Sequence, residues 1–569
     1  MTEGPATEET ATEGPAAEET APETTVADWI GTALARDAGV RTVFGVVGSG
    51  NFHVTNALTE QGARFVAARH EGGAAVMADA YARVSGEVGV LSVHQGPGLT
   101  NALTGLAEAT KSRTPLLVLA AEATAPTSNF YIDQASLTAS IGMIPDRVTA
   151  ASTVRNDLRR AYRTALIERR AVLLSLPLDV QAQTLPDVPM PPVRVWPRLW
   201  PAPDLIADVA DALARARRPV FLAGRGARNA KQELKDLSER TGALLATSAV
   251  SRGLFNGEPF NLDVSGGFAT PVAAELISGA DLVVAWGCAM SMWTTRHGTL
   301  IGKDATVIQV DANPGALGVH HRVDLGIPSD TATAARAVLA EVDRRGQRAR
   351  GYRTAEVARR LAAEGRWRDV PFDPETEPDR IDPRTLTIAL DDLLPAERTV
   401  ATDSGNFMGY PAMFLGVPDE HGLVFTQAFQ SVGLGLATAL GAAVARPDRL
   451  TVAALGDGGV LMGASELETA VRLGLSDLLV VVYDDEAYGA EVHHFGPHGG
   501  RLDNVRFPPA DIAAIARGYG YAAATVRAPE DLAAVKSWLA GPRTSPMLID
   551  AKVTRNRPAW WLEEAFRGH

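Results

Sequence analysis

The chain has 569 residues, of which 46% are hydrophobic and 21% are charged, and this length suffices for about three or four domains. It contains no run of 18 apolar residues, so no membrane-spanning helix is predicted. The net charge of −13 argues against a nucleic-acid partner, because binding one needs a concentrated basic face on the protein. The single cysteine excludes an internal disulfide and fits a reducing cytoplasm.

Residues 1–25 stand apart as an acidic segment, in which the run 2–10 is nearly repeated as 12–20. These runs contain no aliphatic residue larger than alanine, so burying them would not offset the entropy of ordering the chain. We therefore predict a disordered acidic tail. The segment lacks a basic start and an apolar centre, which indicates that it is not a secretory signal.

Three blocks of alternating apolar strands and helical stretches follow the tail, with proline-rich linkers between them. The blocks cover residues 26–186, 204–367 and 384–569, and the linkers cover 187–203 and 368–383. Such alternation is typical of parallel sheets. The predicted fold class is α/β, with three doubly wound parallel-sheet domains.

The first block contains a carboxylate at the start of a predicted helix. Glu71 follows an apolar strand at 63–67 and precedes an alanine-rich stretch. On local grounds alone, its charge would complement the N-terminus of that helix.

The same block delivers uncharged polar residues at two further places. His94 and Gln95 follow an apolar strand at 89–93, just before a Gly-Pro-Gly turn, and Gln134 ends the run 129–134. A histidine at a strand end is either held in place by hydrogen bonds or used in proton transfer. Local sequence leaves both interpretations open for His94 and its neighbour.

The third block contains two carboxylates at the ends of successive apolar strands. Asp457 follows the strand 450–455, and Asp485 follows the strand 478–483. Successive parallel strands end at one edge of a sheet, so we expect these carboxylates to meet there. Oxygen ligands of this kind suit Mg²⁺, which proteins usually hold with one or two carboxylates and substrate phosphates. The glycine-rich turn that lets the backbone approach a ligand consists of Gly456, Asp457, Gly458 and Gly459.

The segment 456–489 resembles the cofactor motif of the thiamin diphosphate (ThDP)-dependent decarboxylase and carboligase family, in which Gly-Asp-Gly is followed further along by Asn-Asn. The run 68–83 resembles that family's Arg-His-Glu pattern. The runs 89–101 and 129–134 are similar to segments of acetolactate synthases and benzaldehyde-lyase-like enzymes. The resemblance covers about residues 26–550, is closest to acetolactate synthase large subunits, and implies pyrimidine-binding, central and diphosphate-binding domains in that order.

The chain departs from the family pattern at the second carboxylate, because Asp484 and Asp485 stand where Asn-Asn is usual. Alignment on the following Tyr-Gly pair assigns the metal position to Asp485, whereas counting forward from the Gly-Asp-Gly turn assigns it to Asp484. We favour Asp485. The resemblance also implies that Ala487 is a metal ligand and that Tyr488 contacts the cofactor.

The resemblance gives roles to other residues of the cofactor site. Glu71 would hydrogen-bond the aminopyrimidine ring and activate the cofactor by sharing a proton with it. Gly405 and Asn406 belong to a turn that would form the first diphosphate-binding loop, where backbone N–H groups can hold a phosphate. Val432 takes the position of the bulky aliphatic residue that separates the two cofactor rings, where Met, Leu or Ile is more usual.

Three residues are assigned to the substrate side by the same resemblance. His94 and Gln95 stand where acetolactate synthases usually have Thr and Ser, and His94 also matches an active-site histidine of benzoylformate decarboxylases. Gln134 matches a loop glutamine of the carboligases, whose amide can bind a substrate oxygen without protonating a carbanion.

These features predict a ThDP- and Mg²⁺-dependent enzyme similar to acetolactate synthase, which decarboxylates a pyruvate-like 2-keto acid and transfers the acyl group to a second carbonyl. A non-oxidative decarboxylase or C–C lyase or hydrolase on the same cofactor is the alternative enzyme. A non-catalytic ThDP-binding regulatory paralogue is the alternative of another class. The retained Glu71 argues against it, since a mere binder needs no proton relay.

The resemblance also bears on other cofactors and on partners. The run 287–298 stands where acetolactate synthases carry an Arg-Phe-Asp-Asp-Arg flavin-binding run, which argues against bound FAD. In the family the activating glutamate and the metal ligands come from different subunits, so a homodimer or homotetramer is expected. We expect a cytoplasmic protein that acts on small carbonyl compounds, with no membrane or nucleic-acid partner.

Overall fold

The computed structural model describes residues 1, 21–194, 198–348 and 351–562. Most of the predicted acidic tail lies outside them, but residues 23–25, which we assigned to the tail, form a strand. This strand pairs antiparallel with residues 184–186, and the Thr25 hydroxyl then accepts a hydrogen bond from the N–H of Asp28 to cap the first helix. The tail boundary predicted at residue 25 is therefore too late, because residues 23–25 have a backbone partner.

The first domain is built on a six-stranded parallel sheet in the order β3-β2-β4-β5-β7-β6. Neighbouring strand residues such as Val90 and Leu91 belong to different hydrophobic clusters, so both faces of the sheet are covered. The elements are β1 (Glu23–Thr25), α1 (Val26–Arg36), β2 (Thr42–Gly45), α2 (Phe52–Glu60), β3 (Arg64–Ala67), α3 (Glu71–Ser85), β4 (Gly89–Val93), α4 (Pro97–Lys111), β5 (Leu116–Glu122), α5 (Gln134–Ser140), β6 (Ile144–Arg147), α6 (Val154–Glu168), β7 (Ala171–Pro177), α7 (Leu178–Gln181) and β8 (Thr184–Pro186).

The central domain has a second six-stranded parallel sheet, in the order β11-β10-β9-β12-β13-β14. Its first strand lies at the centre and later strands extend on both sides, as in doubly wound folds. The elements are α8 (Pro203–Arg215), β9 (Pro219–Ala223), α9 (Lys231–Thr241), β10 (Leu244–Thr247), β11 (Asn261–Val264), α10 (Pro271–Ser278), β12 (Leu282–Trp286), α11 (Met292–Thr295), β13 (Thr306–Asp311), β14 (Leu325–Pro328), α12 (Thr331–Arg344) and α13 (Ala355–Glu364).

The third domain repeats this architecture with strands in the order β16-β15-β17-β18-β20-β19, which confirms the predicted fold class. None of the helices in the described ranges has the length and apolar character that a bilayer crossing needs. The elements are α14 (Pro383–Leu393), β15 (Arg398–Thr402), α15 (Gly409–Phe414), β16 (Leu423–Phe425), α16 (Gly435–Ala445), β17 (Leu450–Gly456), α17 (Asp457–Met462), α18 (Glu466–Arg472), β18 (Leu478–Asp484), α19 (Gly489–Phe495), α20 (Ile512–Tyr519), β19 (Ala522–Val526), α21 (Ala533–Ala540) and β20 (Met547–Lys552).

The first and third domains share one hydrophobic core, in which α3 packs against α16. The two helices cross closely, because a Cβ atom at Gly441 would lie only 2.3 Å from the carbonyl oxygen of Met77. Only glycine permits this approach. The crossing fixes α3, and with it Glu71 at the N-terminus of α3, against the third domain.

Candidate active site

Asp457 and Asp485 lie at the carboxyl ends of two neighbouring strands, as their sequence positions predict. In the register of β17 and β18, Gly456 is opposite Tyr483. Burial and the charge of Asp485 raise the pKa of Asp457 to about 8, and burial raises the pKa of Asp485 to about 7. Neither carboxylate forms an ion pair with lysine or arginine within the described residues. A buried carboxylate beside a half-buried one, neither of them in an ion pair within the described residues, is suited to a cation.

Asp484 has a different environment from its neighbour. Its side chain is 2% exposed, and its Oδ2 accepts a hydrogen bond from the Lys552 ammonium group. Its Oδ1 accepts from the N–H of Glu486 at 3.0 Å. Both oxygens are therefore engaged within the chain, whereas among the described residues Asp485 accepts only from the N–H of Ala487, at 3.3 Å. These contacts favour Asp485 as the metal ligand.

The donor set available to a divalent cation is small. No cluster of three or more His, Cys, Asp or Glu side chains with a metal-binding arrangement occurs in the part of the chain that the structure describes. Asp457 and Asp485 would need the backbone carbonyl of Ala487 and oxygens from phosphate to complete a coordination shell. This combination fits Mg²⁺, which is usually shared between protein carboxylates and substrate phosphates.

The turn that was predicted to hold the diphosphate is organised by a residue that the sequence did not reveal. Asp403 is buried and accepts hydrogen bonds from the N–H groups of Ser404 at 2.8 Å and Gly433 at 3.0 Å. Burial raises the pKa of Asp403 to about 6. Gly405 has a φ of +148°, in the region that favours glycine. Asp403 thus joins the turn to the loop that carries Val432.

Asn406 and Tyr488 border the space between the turn and the two carboxylates. The Oδ1 of Asn406 accepts from the N–H of Ala559 at 3.2 Å, so this side chain fixes the C-terminal segment and leaves the backbone of its turn for a ligand. The ring of Tyr488 packs edge-on against Phe507 at 4.8 Å. A Cβ atom at Gly489 would lie 2.1 Å from Oδ2 of Asp485, so a larger residue there would displace the carboxylate.

Glu71 lies at the N-terminus of α3 and is half-buried in the single chain. Its Oε2 accepts a hydrogen bond from the side-chain amide of Asn101 at 3.0 Å. His70 precedes it and caps the helix, since its ring accepts from the N–H of Gly72. Asn101 is a second orienting residue that sequence reasoning did not single out.

Glu466 of α18 fixes the segment that precedes Glu71. Its buried carboxylate accepts from the N–H groups of Arg69 at 3.1 Å and His70 at 3.0 Å, and from the Thr469 hydroxyl at 2.7 Å. Burial raises the pKa of Glu466. A third-domain carboxylate therefore positions the catalytic candidate of the first domain, although 397 residues separate Glu466 from Arg69 in the sequence.

His94 and Gln95 lie together after β4. The N–H of Gly50 donates to Nδ1 of His94 at 3.2 Å, so the neutral ring carries its proton on Nε2. Burial lowers the pKa of His94, and the ring of Phe130 packs edge-on against it at 5.1 Å. Gln95 is buried, and its Oε1 has no hydrogen-bond partner within the described residues.

Gln134 does not reach this cluster through its side chain. It is 2% exposed, its Nε2 donates to the carbonyl of Ala121 at 2.7 Å, and its Oε1 accepts from the Ser175 hydroxyl at 3.1 Å. The amide thus lies in the core between β5 and β7. Both polar atoms of the amide are therefore engaged within the first domain, and a direct substrate contact of Gln134 stays a prediction from the sequence.

Within one chain, the polar groups described above form two sets, one in the first domain and one in the third, which we call half-sites. The first-domain half-site contains Glu71 and His94, and the third-domain half-site contains Asp457 and Asp485. The contacts that join the domains near Glu71 run through α18, whereas the two aspartates contact their own domain. Large apolar side chains are exposed beside both half-sites, namely Val47, Phe52, Phe130 and Tyr131 in the first domain and Phe429, Val432, Leu461 and Met462 in the third.

Comparison with protein-family models found matches in three separate parts of the chain. Residues 24–141 match the thiamine pyrophosphate enzyme N-terminal TPP binding domain, residues 206–338 match the central domain, and residues 403–551 match the C-terminal TPP binding domain.

Curated relatives are similar over most of the sequence. A probable 2-ketoarginine decarboxylase of Pseudomonas aeruginosa is 32% identical, over 88% of this chain and 89% of that protein. A sulfoacetaldehyde acetyltransferase of Rhodobacter capsulatus is 30% identical, over 80% and 81%. A putative acetolactate synthase large subunit of Mycobacterium tuberculosis is 29% identical, over 93% and 99%. With all three domains matched in order, the chain belongs to the thiamine pyrophosphate enzyme family.

Proposed function

We propose that this chain is a ThDP- and Mg²⁺-dependent carboligase, similar to acetolactate synthase, that decarboxylates a pyruvate-like 2-keto acid and transfers the acyl unit to a second carbonyl. The observation that carries the proposal is the pair Asp457 and Asp485 at the edge of the third-domain sheet, which forms no ion pair within the described residues and whose pKa values are raised to about 8 and about 7. ThDP supplies the carbanion chemistry when it is bound. The residues of the chain bind it, orient it and move protons.

The third-domain half-site would hold the cofactor. Asp457, Asp485 and the carbonyl of Ala487 are the proposed metal ligands, with Gly456, Gly458, Gly459 and Tyr488 around them. The turn of Gly405 and Asn406 would bind the diphosphate through backbone N–H groups. Val432 is 39% exposed and is the proposed spacer between the two cofactor rings.

The first-domain half-site would carry out the proton transfers. Glu71, which is oriented by Asn101, would share a proton with the aminopyrimidine ring. Neutral His94 offers an N–H group at Nε2 to a substrate oxygen or carbanion. Gln95, whose Oε1 has no partner within the described residues, is a further candidate for substrate binding.

His94 supports a second candidate function. A histidine that carries a transferable proton beside the reacting carbon suits a decarboxylase, because the product is released after protonation. The relatives include both a probable decarboxylase and acetyl-transferring enzymes, so each outcome has a precedent among similar proteins. We retain the non-oxidative decarboxylase, or a lyase, as the alternative, together with a non-catalytic binding protein.

The two half-sites are proposed to meet between chains of a homodimer or homotetramer. The exposed apolar residues beside each half-site would be covered by that contact, which would remove their apolar surface from water. Each cofactor would then lie between the first domain of one chain and the third domain of another. A cytoplasmic location and the absence of FAD remain expectations from the sequence.

The experiment that tests the function is a product screen. The chain is loaded with ThDP and Mg²⁺ and incubated with pyruvate, with and without an aldehyde or a second 2-keto acid. Carbon dioxide with a coupled hydroxyketone supports carboligation, and carbon dioxide with free aldehyde supports decarboxylation. Cofactor binding without turnover of any tested donor supports the binding protein. A chain that binds no ThDP in the presence of Mg²⁺ contradicts all three.

A further inference from the structure

Asp484 and Lys552 form a buried ion pair directly behind the proposed metal ligands. They lie opposite each other in the register of β18 and β20, and their side chains are 2% and 9% exposed. The Lys552 ammonium group donates to Oδ2 of Asp484, lies 3.1 Å from Oδ2 of Asp550 and donates to the carbonyl of Ala510 at 3.3 Å. A buried charge is costly without a partner, so this ammonium group stabilises a carboxylate at position 484.

The other oxygen of Asp484 shapes the turn that carries Asp485. Oδ1 of Asp484 accepts from the N–H of Glu486, and the Asp484 carbonyl accepts from the N–H of Val553 at 3.0 Å. An asparagine would offer the same side-chain oxygen without a charge. The turn therefore needs an oxygen at position 484, and it needs Lys552 only because this oxygen belongs to a carboxylate.

Glu486, the third consecutive acidic residue, is also neutralised. It has a φ of +58° and forms ion pairs with Arg380 at 2.7 Å and with Arg555 at 2.8 Å. Of the three acidic residues in this turn, Asp485 alone forms no ion pair within the described residues.

We propose that Lys552 is a positioning residue for the divalent cation. By neutralising Asp484, it leaves Asp457 and Asp485, the two carboxylates without an ion pair among the described residues, to match the two positive charges of the metal. Without Lys552, Asp484 would place a third negative charge beside the site of the diphosphate, or would turn away from Glu486 and release the turn. This inference rests on the proposed function.

The test measures the Mg²⁺ concentration that gives half-maximal ThDP binding, followed by isothermal titration of the full chain. Lys552→Met should raise this concentration by about 10–100-fold, the usual cost of losing a residue that orients metal ligands. Adding Asp484→Asn to Lys552→Met should restore a value close to that of the native chain. The matched control is Lys552→Met with Asp550→Asn, which removes the other carboxylate beside Lys552 and should keep the high value.

The outcomes separate this inference from its alternatives. A native Mg²⁺ requirement in Lys552→Met overturns it, and so does equal rescue by the two asparagine substitutions. A purely structural role of Lys552 would lower the unfolding midpoint of the cofactor-free chain and leave the Mg²⁺ requirement unchanged. If Lys552→Met does not fold, Asp484→Asn alone supplies the test. This variant should need the same Mg²⁺ concentration as the native chain, and a tenfold rise in that concentration contradicts the proposal. Failure of the native chain to bind ThDP contradicts the proposed function instead.

Discussion

The two half-sites differ in how their polar groups are satisfied. In the third domain, Asp457 is buried and Asp485 is half-buried, and neither carboxylate forms an ion pair within the described residues. In the first domain, Glu71 is half-buried with an amide partner, and His94 is a neutral donor. The third-domain half-site is thus suited to binding a charged group and the first-domain half-site to moving protons. Substitutions should therefore separate binding from turnover.

The largest expected effect is that of a substitution in the third-domain half-site. Asp457→Asn should weaken Mg²⁺-dependent ThDP binding by at least about 100-fold, because residues that merely orient metal ligands already account for about 10–100-fold. The cofactor-free variant should unfold at the same temperature as the native chain or higher, since one of two repelling carboxylates is gone. Calorimetric titration and thermal unfolding measure the two effects. Native affinity in this variant would show that Asp457 is not a ligand.

Glu71→Gln should instead lower turnover and leave cofactor binding nearly unchanged. We expect kcat to fall by about 100-fold or more, the usual contribution of a positioned acid or base, while the ThDP dissociation constant changes little. Steady-state kinetics on whichever donor the product screen identifies, combined with titration of ThDP, separates the two quantities. A matched loss of binding and turnover would mean that Glu71 only supports the structure.

Mixing the two inactive variants tests whether the half-sites belong to different chains. In a mixed dimer of Asp457→Asn and Glu71→Gln, one site would combine both substitutions and the other would be native. Random exchange of subunits should then restore about a quarter of the native activity, since half of the dimers carry one native site of two. No recovery after verified subunit exchange would place the complete site within one chain.

The sequence revealed those parts of the site that depend on local pattern. Apolar runs that end in glycine-rich turns placed Asp457 and Asp485 at adjacent strand ends, and a strand followed by an alanine-rich stretch placed Glu71 at a helix N-terminus. Each of these positions follows from where a strand or helix begins or ends. The three-sheet architecture was predictable for the same reason.

The residues that the sequence did not reveal act on partners that are distant in the chain. Glu466 contacts a segment 397 residues away, and Lys552 pairs with Asp484 across 68 residues. No local pattern encodes such pairings, since they arise when strands and domains pack. The local motif likewise did not reveal the packing of Gln134, whose amide donates to the carbonyl of Ala121.

Glu466→Ala should affect the first-domain half-site from the third domain. It leaves the N–H groups of Arg69 and His70 without their acceptor, which should cost about 1–3 kcal/mol of unfolding free energy. We expect kcat to fall by about tenfold, because small displacements of a catalytic group are costly. The control is Glu468→Ala, which removes a more exposed ion pair with Arg69 and should therefore cost less. Denaturant unfolding and steady-state kinetics measure the two effects. Equal losses of stability and of kcat in both variants would contradict this role of Glu466.

The smallest expected effect is a pH dependence that belongs to His94. Burial lowers the pKa of His94 below its ordinary value of 6.5, so between the folded pKa and 6.5 the unfolded chain binds more protons than the folded chain. The contribution of His94 to stability is therefore present above pH 6.5 and is lost as the pH falls through the folded pKa. His94→Gln should lack this loss, whereas His53→Gln, at an exposed histidine of α2, should retain it. Unfolding midpoints of the three chains, measured from pH 5 to pH 8, give the difference. If the midpoints of the native chain and of His94→Gln change with pH in the same way, the ring of His94 is not held neutral by its surroundings.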